Sequence, residues 1–313
     1  MSTLFGKRWW LDAVAPSAWG EAKVERDGAV VARLPWAERR LPVPGLELVR
    51  VGSPKLTPFL APELEVGHGK PVTQLATEHK LLDGLIADLP RFDYLSYTFA
   101  PSFTNWLPFY WHGFEGTLRA TYVLDDIRDV DAVWRGMSDK TRSVVRKAEK
   151  TLEVVVDADA SRLAESVEST FERRGGRGTP FDAALLGRLH REVTQRDAGV
   201  VLSAVDDARR VHASLMAVWD DARTYYLVGG NHREHLGSGA QSLLLWEAIR
   251  LASARTDVFD FEGSMIEGVA RFFRGFGARP ESYIQVTAAS RRMRVGLAAR
   301  DVIRGLTPAR LRR

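Results

Sequence analysis

The stretch that decides the fold runs from Asp257 to Arg279 and reads DVFDFEGSMIEGVARFFRGFGAR. Its beginning, Val258–Phe261, is a short apolar run that predicts a buried strand. Apolar residues then recur at helical spacing as far as Gly275-Phe276-Gly277, which predicts a helix ending at these glycines. Glu262 and Ser264 lie between the two elements. Since ligands usually bind at the carboxyl ends of strands in α/β sheets, both are candidate site residues, with helix capping or turn formation as the alternative.

The composition is that of an ordinary globular protein. The chain has 313 residues, of which 45% are hydrophobic and 27% charged, enough for one large or two medium domains. There is no cysteine, which excludes disulfides, a cysteine nucleophile, iron–sulfur ligation and cysteine-based zinc sites. Among the seven histidines only His232 and His235 are closely spaced, and no third histidine lies near them in the sequence, so we expect no metal site.

Charge and hydropathy indicate the cellular location of the protein and the class of ligand that it binds. The formal net charge of +4 suits an anionic ligand without selecting one. Apolar runs are shorter than the roughly 18 residues that a membrane span requires, so we expect no stable membrane insertion. The N-terminus, MSTLFGKRWW, lacks a long apolar core before a cleavage site. A cytoplasmic location is therefore expected.

Hydrophobic periodicity predicts alternating strands and helices along the chain. The Asp27-Gly28 dipeptide predicts a tight hairpin turn within Ala22–Leu34. Helices are predicted at Trp9–Val14, Gln74–Leu89, Met137–Lys150 with Ser138 as its cap, Ser161–Arg173, Phe181–Arg196 and Gln241–Ala254. Strands are predicted at Phe92–Phe99, Phe114–Leu124, Val200–Val205, Val211–Trp219, Thr224–Gly229 and Ser282–Thr287.

Two parts of the chain repeat the same order of elements. In each, a leucine pair opens a helix, a strand follows, and an aromatic helix ends in Phe-Tyr-x-x-Gly-Phe or Phe-Phe-x-Gly-Phe before another strand. The first copy ends its aromatic helix at Phe109–Phe114 and the second at Phe272–Phe276. A hairpin precedes both copies. Two copies of one α/β domain are the simplest interpretation.

The order of elements and two motifs carry a resemblance to a known family. The motifs are Lys140-Thr141-Arg142 with Arg146-Lys147-Ala148, and Phe259-Asp260-Phe261-Glu262-Gly263-Ser264. From Trp9 to Thr287 the chain resembles FemAB-like transferases of the GNAT superfamily. The resemblance implies an α/β (α+β) fold of two tandem GNAT-like domains, each with a mixed central sheet flanked by helices. The expected boundaries are residues 1–136, residues 137–290 with the acyl-donor site, and a basic tail, 291–313, with a helix at Leu297–Leu306.

The resemblance implies an N-acyltransferase that moves an acyl or aminoacyl group to an amine. The co-substrate would be an acyl-coenzyme A or an aminoacyl-tRNA, and no cofactor would be bound permanently. The acceptor would be an amine-bearing small molecule or a cell-wall precursor. One alternative is a Fem-type ligase that forms peptide bonds from aminoacyl-tRNA. An alternative from another class is a non-catalytic GNAT-like module that binds tRNA or an acidic partner.

The chemistry requires a base, donors for an oxyanion and a proton for the leaving group. Glu262 is the candidate base because apolar neighbours would raise its pKa. Ser264 would orient substrate or cap the helix. Tyr225 and Tyr226 point to opposite faces of a strand, and the one facing the cleft, for which we take Tyr226, would donate the proton. The backbone N–H of Val228 would be the oxyanion donor.

The same resemblance predicts a site for the donor. Gly237, Ser238, Gly239 and Ala240 occupy the place of the family's pyrophosphate turn, which is one residue longer here, and would present N–H groups at a helix N-terminus. Many coenzyme A-dependent relatives have a tyrosine where this chain has two phenylalanines, Phe272 and Phe273.

Two further sets of side chains are candidates for substrate binding. Three cations would hold a phosphate or a tRNA end, with a solvated basic helix as the alternative; they are Lys140, Arg142 and Arg146. Three residues of the aromatic segment would shape the acceptor pocket, with core packing as the alternative; they are Asn105, Trp106 and His112.

Overall fold

The structure is a computed structural model that describes residues 3–43, 46–173, 179, 181–263 and 265–294. The first half contains α1 (Arg8–Val14), β1 (Trp19–Arg26), β2 (Ala29–Val43), β3 (Leu46–Gly52), β4 (Glu63–Leu64), α2 (Pro71–Ala87), β5 (Tyr94–Thr98), α3 (Leu107–Trp111) and β6 (Glu115–Leu124). The second half contains α4 (Val130–Gly136), α5 (Asp139–Ala148), β7 (Glu153–Val156), α6 (Ser161–Arg173), α7 (Ala183–Gln195), β8 (Gly199–Val205), β9 (Val211–Trp219), β10 (Arg223–Asn231), α8 (Ala240–Ser253), β11 (Val258–Asp260), α9 (Glu267–Arg274) and β12 (Arg279–Ala289). Short 3-10 turns at Leu4–Gly6 and Arg233–His235 complete the elements.

The strands form one mixed sheet that runs through both halves of the chain. Its order is β1-β2-β3-β5-β12-β6-β11-β10-β9-β8-β7, with β4 against β2. Each half contains one parallel pair, β3 with β5 and β10 with β11, and this correspondence matches the predicted repeat. The predicted α/β fold of two GNAT-like units with helices on a mixed sheet is confirmed.

The two units exchange their last strands, which the sequence does not predict. The strand β12 of the second unit lies between β5 and β6, antiparallel to both. The strand β6 of the first unit in turn pairs with β11 of the second. The exchange joins two small sheets into one and leaves no unpaired edge at their junction. A boundary at residue 136 remains a prediction, and the pairing of β12 crosses it.

Local sequence explains why several elements form where they do. The β1–β2 hairpin turns at Asp27 and Gly28, whose φ angles of 52° and 78° are those of the predicted tight turn. The Ser138 side chain accepts a hydrogen bond from the Thr141 N–H at 3.2 Å and caps α5, as predicted. At Gly52, where φ is 137°, an added Cβ would lie 1.9 Å from the Ser96 carbonyl oxygen. Glycine therefore allows β3 and β5 to meet.

Two hydrophobic clusters hold the layers together. The first joins the N-terminal half to α6 and α7, with residues such as Phe59, Leu163 and Leu189 in one continuous core. The second lies between α5, α8, α9 and the sheet and includes Phe261 and Phe276. Among the described residues no helix combines the length and the apolar character needed to cross a membrane. The predicted helix at Leu297–Leu306 lies outside the described residues.

Candidate active site

The candidate site lies where two parallel strands separate. β10 and β11 pair only from Arg223–Tyr225 to Val258–Asp260. Beyond Tyr225 the register of β10 against β9 shifts between Tyr226 and Val228, as in a β-bulge. A cavity of about 450 Å³ opens at this point. Its walls come from Pro54–Pro58 of the first half and from α6, β10, the first turn of α8, the end of β11 and α9.

Glu262 lies where this cavity meets a second one of about 300 Å³. Its φ of 57° is in the left-handed region, which is uncommon for a residue with a side chain. The residue is half-buried and lines both cavities. Burial, and then the neighbouring Asp260 charge, raise the pKa of Glu262 to about 8. A carboxyl with this pKa can take up a proton near neutral pH, as a general base must.

Asp260 supports the turn that places Glu262. Its carboxyl is completely buried and accepts the Glu262 N–H at 2.9 Å and an Arg223 N–H at 2.9 Å. It also accepts the hydroxyl of Thr121, so strands from both halves meet at this group. Arg223 in turn donates to Glu281 at 2.6 Å. An aspartate that binds the N–H two residues later stabilises a local turn, and this one offsets the strain at Glu262.

The two tyrosines of β10 face different sides, as predicted. Tyr225 is buried in the first core cluster, where its ring is 4.8 Å from that of Phe5. Tyr226 lines the larger cavity, and its hydroxyl accepts a hydrogen bond from Gln241 Nε2 at 3.3 Å. Its ring lies 6.2 Å from that of Phe273. Tyr226 is thus the tyrosine of this strand that can meet a ligand, and its role as proton donor stays a prediction.

Among the residues predicted to bind the donor, only Val228 lines the larger cavity. Val228 lines it directly, beside the bulge. Gly239 caps α8 with a φ of 80°, and an added Cβ there would lie 2.9 Å from Val144 of α5. The turn from Gly237 to Ala240 does not line the cavity itself, whereas Gln241 of the first helical turn does.

The three basic residues of α5 have different environments. Arg142 donates to the carbonyl oxygens of Arg135 at 2.8 Å and Met137 at 2.7 Å and pairs with Asp139, so it caps the end of α4. The guanidinium of Arg142 is therefore hydrogen-bonded within the protein, whereas we predicted that it would contact a phosphate. Arg146 is exposed and lies over the Trp134 ring at 5.3 Å. Lys140 is exposed as well.

The residues predicted for an acceptor pocket are not at Glu262. Trp106 packs within the first half, where its ring fills the space above Gly116, and the preceding Asn105 is half-buried. His112 Nε2 lies 3.0 Å from Asp83 at the surface. None of the three lines either cavity that adjoins Glu262. Their aromatic neighbourhood is packing between α2, α3 and β6, which was the alternative interpretation.

Other site residues have no counterpart in the sequence-based prediction. Tyr283 and Gln285 of β12 and Arg119 of β6 line the smaller cavity. A Cβ added at Gly263 would lie 2.6 Å from the Tyr283 hydroxyl oxygen, which shows how closely this hydroxyl approaches the Glu262 turn. In the sequence, this group is indicated by polar residues at alternate positions of the strands. These residues come together in space only because the two units exchange their last strands. The predicted candidate Ser264 lies outside the described residues.

Comparison with known proteins supports the tandem arrangement. Residues 137–274 match the family described as Acetyltransferase (GNAT) domain. A crystal structure of FemX shares 12% identity at a TM-score of 0.64, covering 90% of this chain and 92% of that one. A tandem GNAT protein from the clavulanic acid biosynthesis pathway shares 15% identity at a TM-score of 0.52, covering 88% and 84%.

A third solved structure has the same fold. It is the C-terminal domain of a putative lysylphosphatidylglycerol synthetase from Agrobacterium fabrum, with 10% identity and a TM-score of 0.57 over 97% of this chain and 93% of that one. A search of curated proteins found no match. Residues 137–274 are therefore similar to a GNAT acetyltransferase domain, and the chain has a FemAB-like tandem GNAT fold along most of its length.

Proposed function

We propose that the protein transfers an acyl or aminoacyl group from an activated donor to an amine, with Glu262 as the general base. One observation carries the proposal. A carboxyl whose pKa is raised to about 8 lies at the meeting point of two cavities, beside the opening between β10 and β11. The larger cavity would hold the reacting end of the donor. The smaller one would admit the acceptor amine.

The reaction follows from these positions. Glu262 takes a proton from the neutral acceptor amine as the nitrogen attacks the acyl carbon, so a C–N bond forms. The backbone N–H groups of β10 near Val228 would stabilise the oxyanion. The bond between the acyl carbon and the donor's sulfur or oxygen then breaks, and the leaving group needs a proton. Tyr226, which lines the same cavity, would supply it.

The donor is an acyl-coenzyme A or an aminoacyl-tRNA in this proposal. The first is supported by the apolar wall that Phe272 and Phe273 form and by the GNAT match. The second is supported by the exposed cations Lys140, Arg146 and Lys147 on α5, which packs against the turn before α8. Among the structural neighbours, one is described with reference to AcCoA and another as a lysylphosphatidylglycerol synthetase.

A non-catalytic module that binds tRNA or an acidic partner is the second candidate. It is favoured by the position of Gly237 and Gly239, since neither glycine lines the larger cavity beside Glu262. Such a module would bind a donor without consuming it. Binding a donor does not require a carboxyl with a raised pKa, whereas a general base does. The raised pKa of Glu262 therefore favours the enzyme.

The test is transfer itself, followed by mass spectrometry of an amine mixture. Purified protein is incubated with acetyl-coenzyme A in one arm and with charged total tRNA in the other, the latter with and without ribonuclease. We expect acylated amine in one arm, and a loss of at least about 100-fold in kcat for Glu262→Gln. Donor binding without acylated product in either arm would favour the non-catalytic module. Full activity of Glu262→Gln would remove this residue from the mechanism.

A further inference from the structure

The smaller cavity adjoining Glu262 has an unusually polar wall. It lies on one face of the sheet, where neighbouring strands of both units contribute alternate side chains. The polar residues that line it are Arg50, Ser53, Thr57, Ser96, Thr98, Arg119, Glu262, Tyr283 and Gln285. A cavity lined in this way offers many hydrogen-bond donors and little apolar surface. Its chemistry therefore selects a charged or strongly polar ligand.

Two arginines in this wall have no carboxylate partner among the described residues. Arg119 is held in place by neutral groups, since its Nη1 donates to Gln285 Oε1 at 2.7 Å. Gln285 Nε2 in turn donates to the Ser96 hydroxyl at 3.2 Å. Arg50 lies over the Tyr94 ring at 5.7 Å. By contrast, Arg33 of the same sheet pairs with two glutamates.

The groups around Arg50 add positive charge and do not neutralise its guanidinium. Arg50 stands directly opposite Arg39 in the β2–β3 register, and like charges in this position repel each other. Burial, and then Arg39, lower the pKa of Arg50. Arg39 and Lys55 border an adjoining cavity that shares Arg50 and Ser53 with this one. The arrangement costs the empty protein free energy that a bound anion would recover.

The other charged groups nearby leave room for an anion. Glu262 is the one carboxylate among the described lining residues of the smaller cavity, and its raised pKa keeps it largely neutral below about pH 8. Tyr283 also stays protonated, because burial raises its pKa above the ordinary value. Glu38 and Asp182 border only the adjoining cavity. An anion entering the smaller cavity would meet two guanidinium groups and neutral donors.

We propose that the smaller cavity binds a compact anionic group of the acceptor, a carboxylate or a phosphate, between Arg50 and Arg119. The inference rests on the proposed acyl transfer and gives the acceptor a class: an amine that carries a negative charge a short distance from its nitrogen. The anion fixes the acceptor at the cationic end of the cavity. Its amine then lies at the Glu262 end, where the proton is removed.

Binding is tested first, without turnover. The probes are N-acetylglycine, its neutral partner N-acetylglycinamide, and inorganic phosphate, each titrated calorimetrically into wild-type protein and variants. We expect N-acetylglycine or phosphate to bind at least about tenfold more tightly than the amide, and this preference to be lost in Arg119→Gln and in Arg50→Gln. Arg119→Lys, which keeps the charge, should retain part of it. Arg40→Gln, which changes an exposed arginine of β2 paired with Glu47, is the matched control.

The outcomes separate this inference from the proposed reaction. Whether the carboxylate or the phosphate probe binds more tightly identifies the anion. Failure of both N-acetylglycine and phosphate to bind the wild type more tightly than the amide would overturn the inference, as would unchanged binding in both arginine variants. If the anion site is found but no amine is acylated, the acyl-transfer proposal is the one that fails. Where transfer is detected, the wild type should prefer free-acid amines over their carboxamides through a lower KM, and Arg119→Gln should lose this preference.

Discussion

The carboxyl of Glu262 makes the stability of the protein depend on pH in a direction that can be calculated. Its pKa is raised from 4.5 in the unfolded chain to about 8 in the folded protein. Between these values the folded protein keeps a proton that the unfolded chain has lost. The free energy of unfolding therefore falls as pH rises, by about 1.4 kcal/mol per pH unit from this one group. Over the whole interval the loss is roughly 3 to 5 kcal/mol.

The substitution Glu262→Gln isolates this contribution. The glutamine has nearly the same shape and is neutral at every pH, so the variant should lack the pH-dependent loss. Urea unfolding of both proteins, followed by tryptophan fluorescence at several pH values from about 5 to 8, gives the difference in unfolding free energy. We expect the variant to become progressively more stable than the wild type as pH rises. The gain should level off above about pH 8, where both states of the wild type are ionised.

A flat difference across this interval would refute the argument, because it would mean that Glu262 ionises like an ordinary carboxyl. Glu267→Gln is the matched control, since that glutamate is exposed on α9. The same pKa should appear in catalysis as a limb of kcat/KM that rises with pH towards about 8. This limb should disappear in Glu262→Gln.

Three other substitutions test the surrounding structure. Asp260→Ala should lower the unfolding free energy by about 3 kcal/mol or more, because it breaks a buried ion pair with Arg223; a urea-unfolding loss under about 1 kcal/mol would contradict this. Gly52→Ala should cost about 2 kcal/mol or more in the same assay, as its Cβ would overlap the Ser96 carbonyl, whereas Gly268→Ala, with open space around it, should be neutral or stabilising. Tyr226→Phe should reduce kcat by at least about tenfold with little change in the unfolding midpoint, and an unaltered kcat would exclude it as proton donor.

Most of the fold was accessible from local sequence, since the relevant signals act over a few residues. The hairpin at Asp27-Gly28, the Ser138 cap and the helix that follows Glu262 all lie where periodicity and turn chemistry predict them. The repeat of the aromatic helix and its flanking strands corresponds to equivalent elements in the two units. What periodicity cannot convey is which strand pairs with which. The exchange of β6 and β12 is decided by long-range packing.

The candidate site likewise has one part that local sequence predicts and another part that it does not. Glu262 and Tyr226 could be named as candidates because the end of a strand and the alternation along a strand are local properties. The group around Arg119 was missed because its members lie on β3, β5, β6 and β12 and meet only after the strands are exchanged. The protein partners of Arg142 were not predicted, for another reason. A basic helix face does not reveal that backbone carbonyls of α4 will occupy one of its guanidinium groups.

The exchanged strands also set an order of events during synthesis. β12 is the last strand of the described chain, yet it belongs between β5 and β6, which leave the ribosome much earlier. Until its residues emerge, those two strands have unpaired edges towards each other, and such edges invite pairing with other chains. Contacts between segments so far apart in sequence form slowly. In the nascent protein β12 cannot take its place between β5 and β6 until Ala289 has left the ribosome, so these two strands are open to wrong pairing for longer than in two units that fold one after the other.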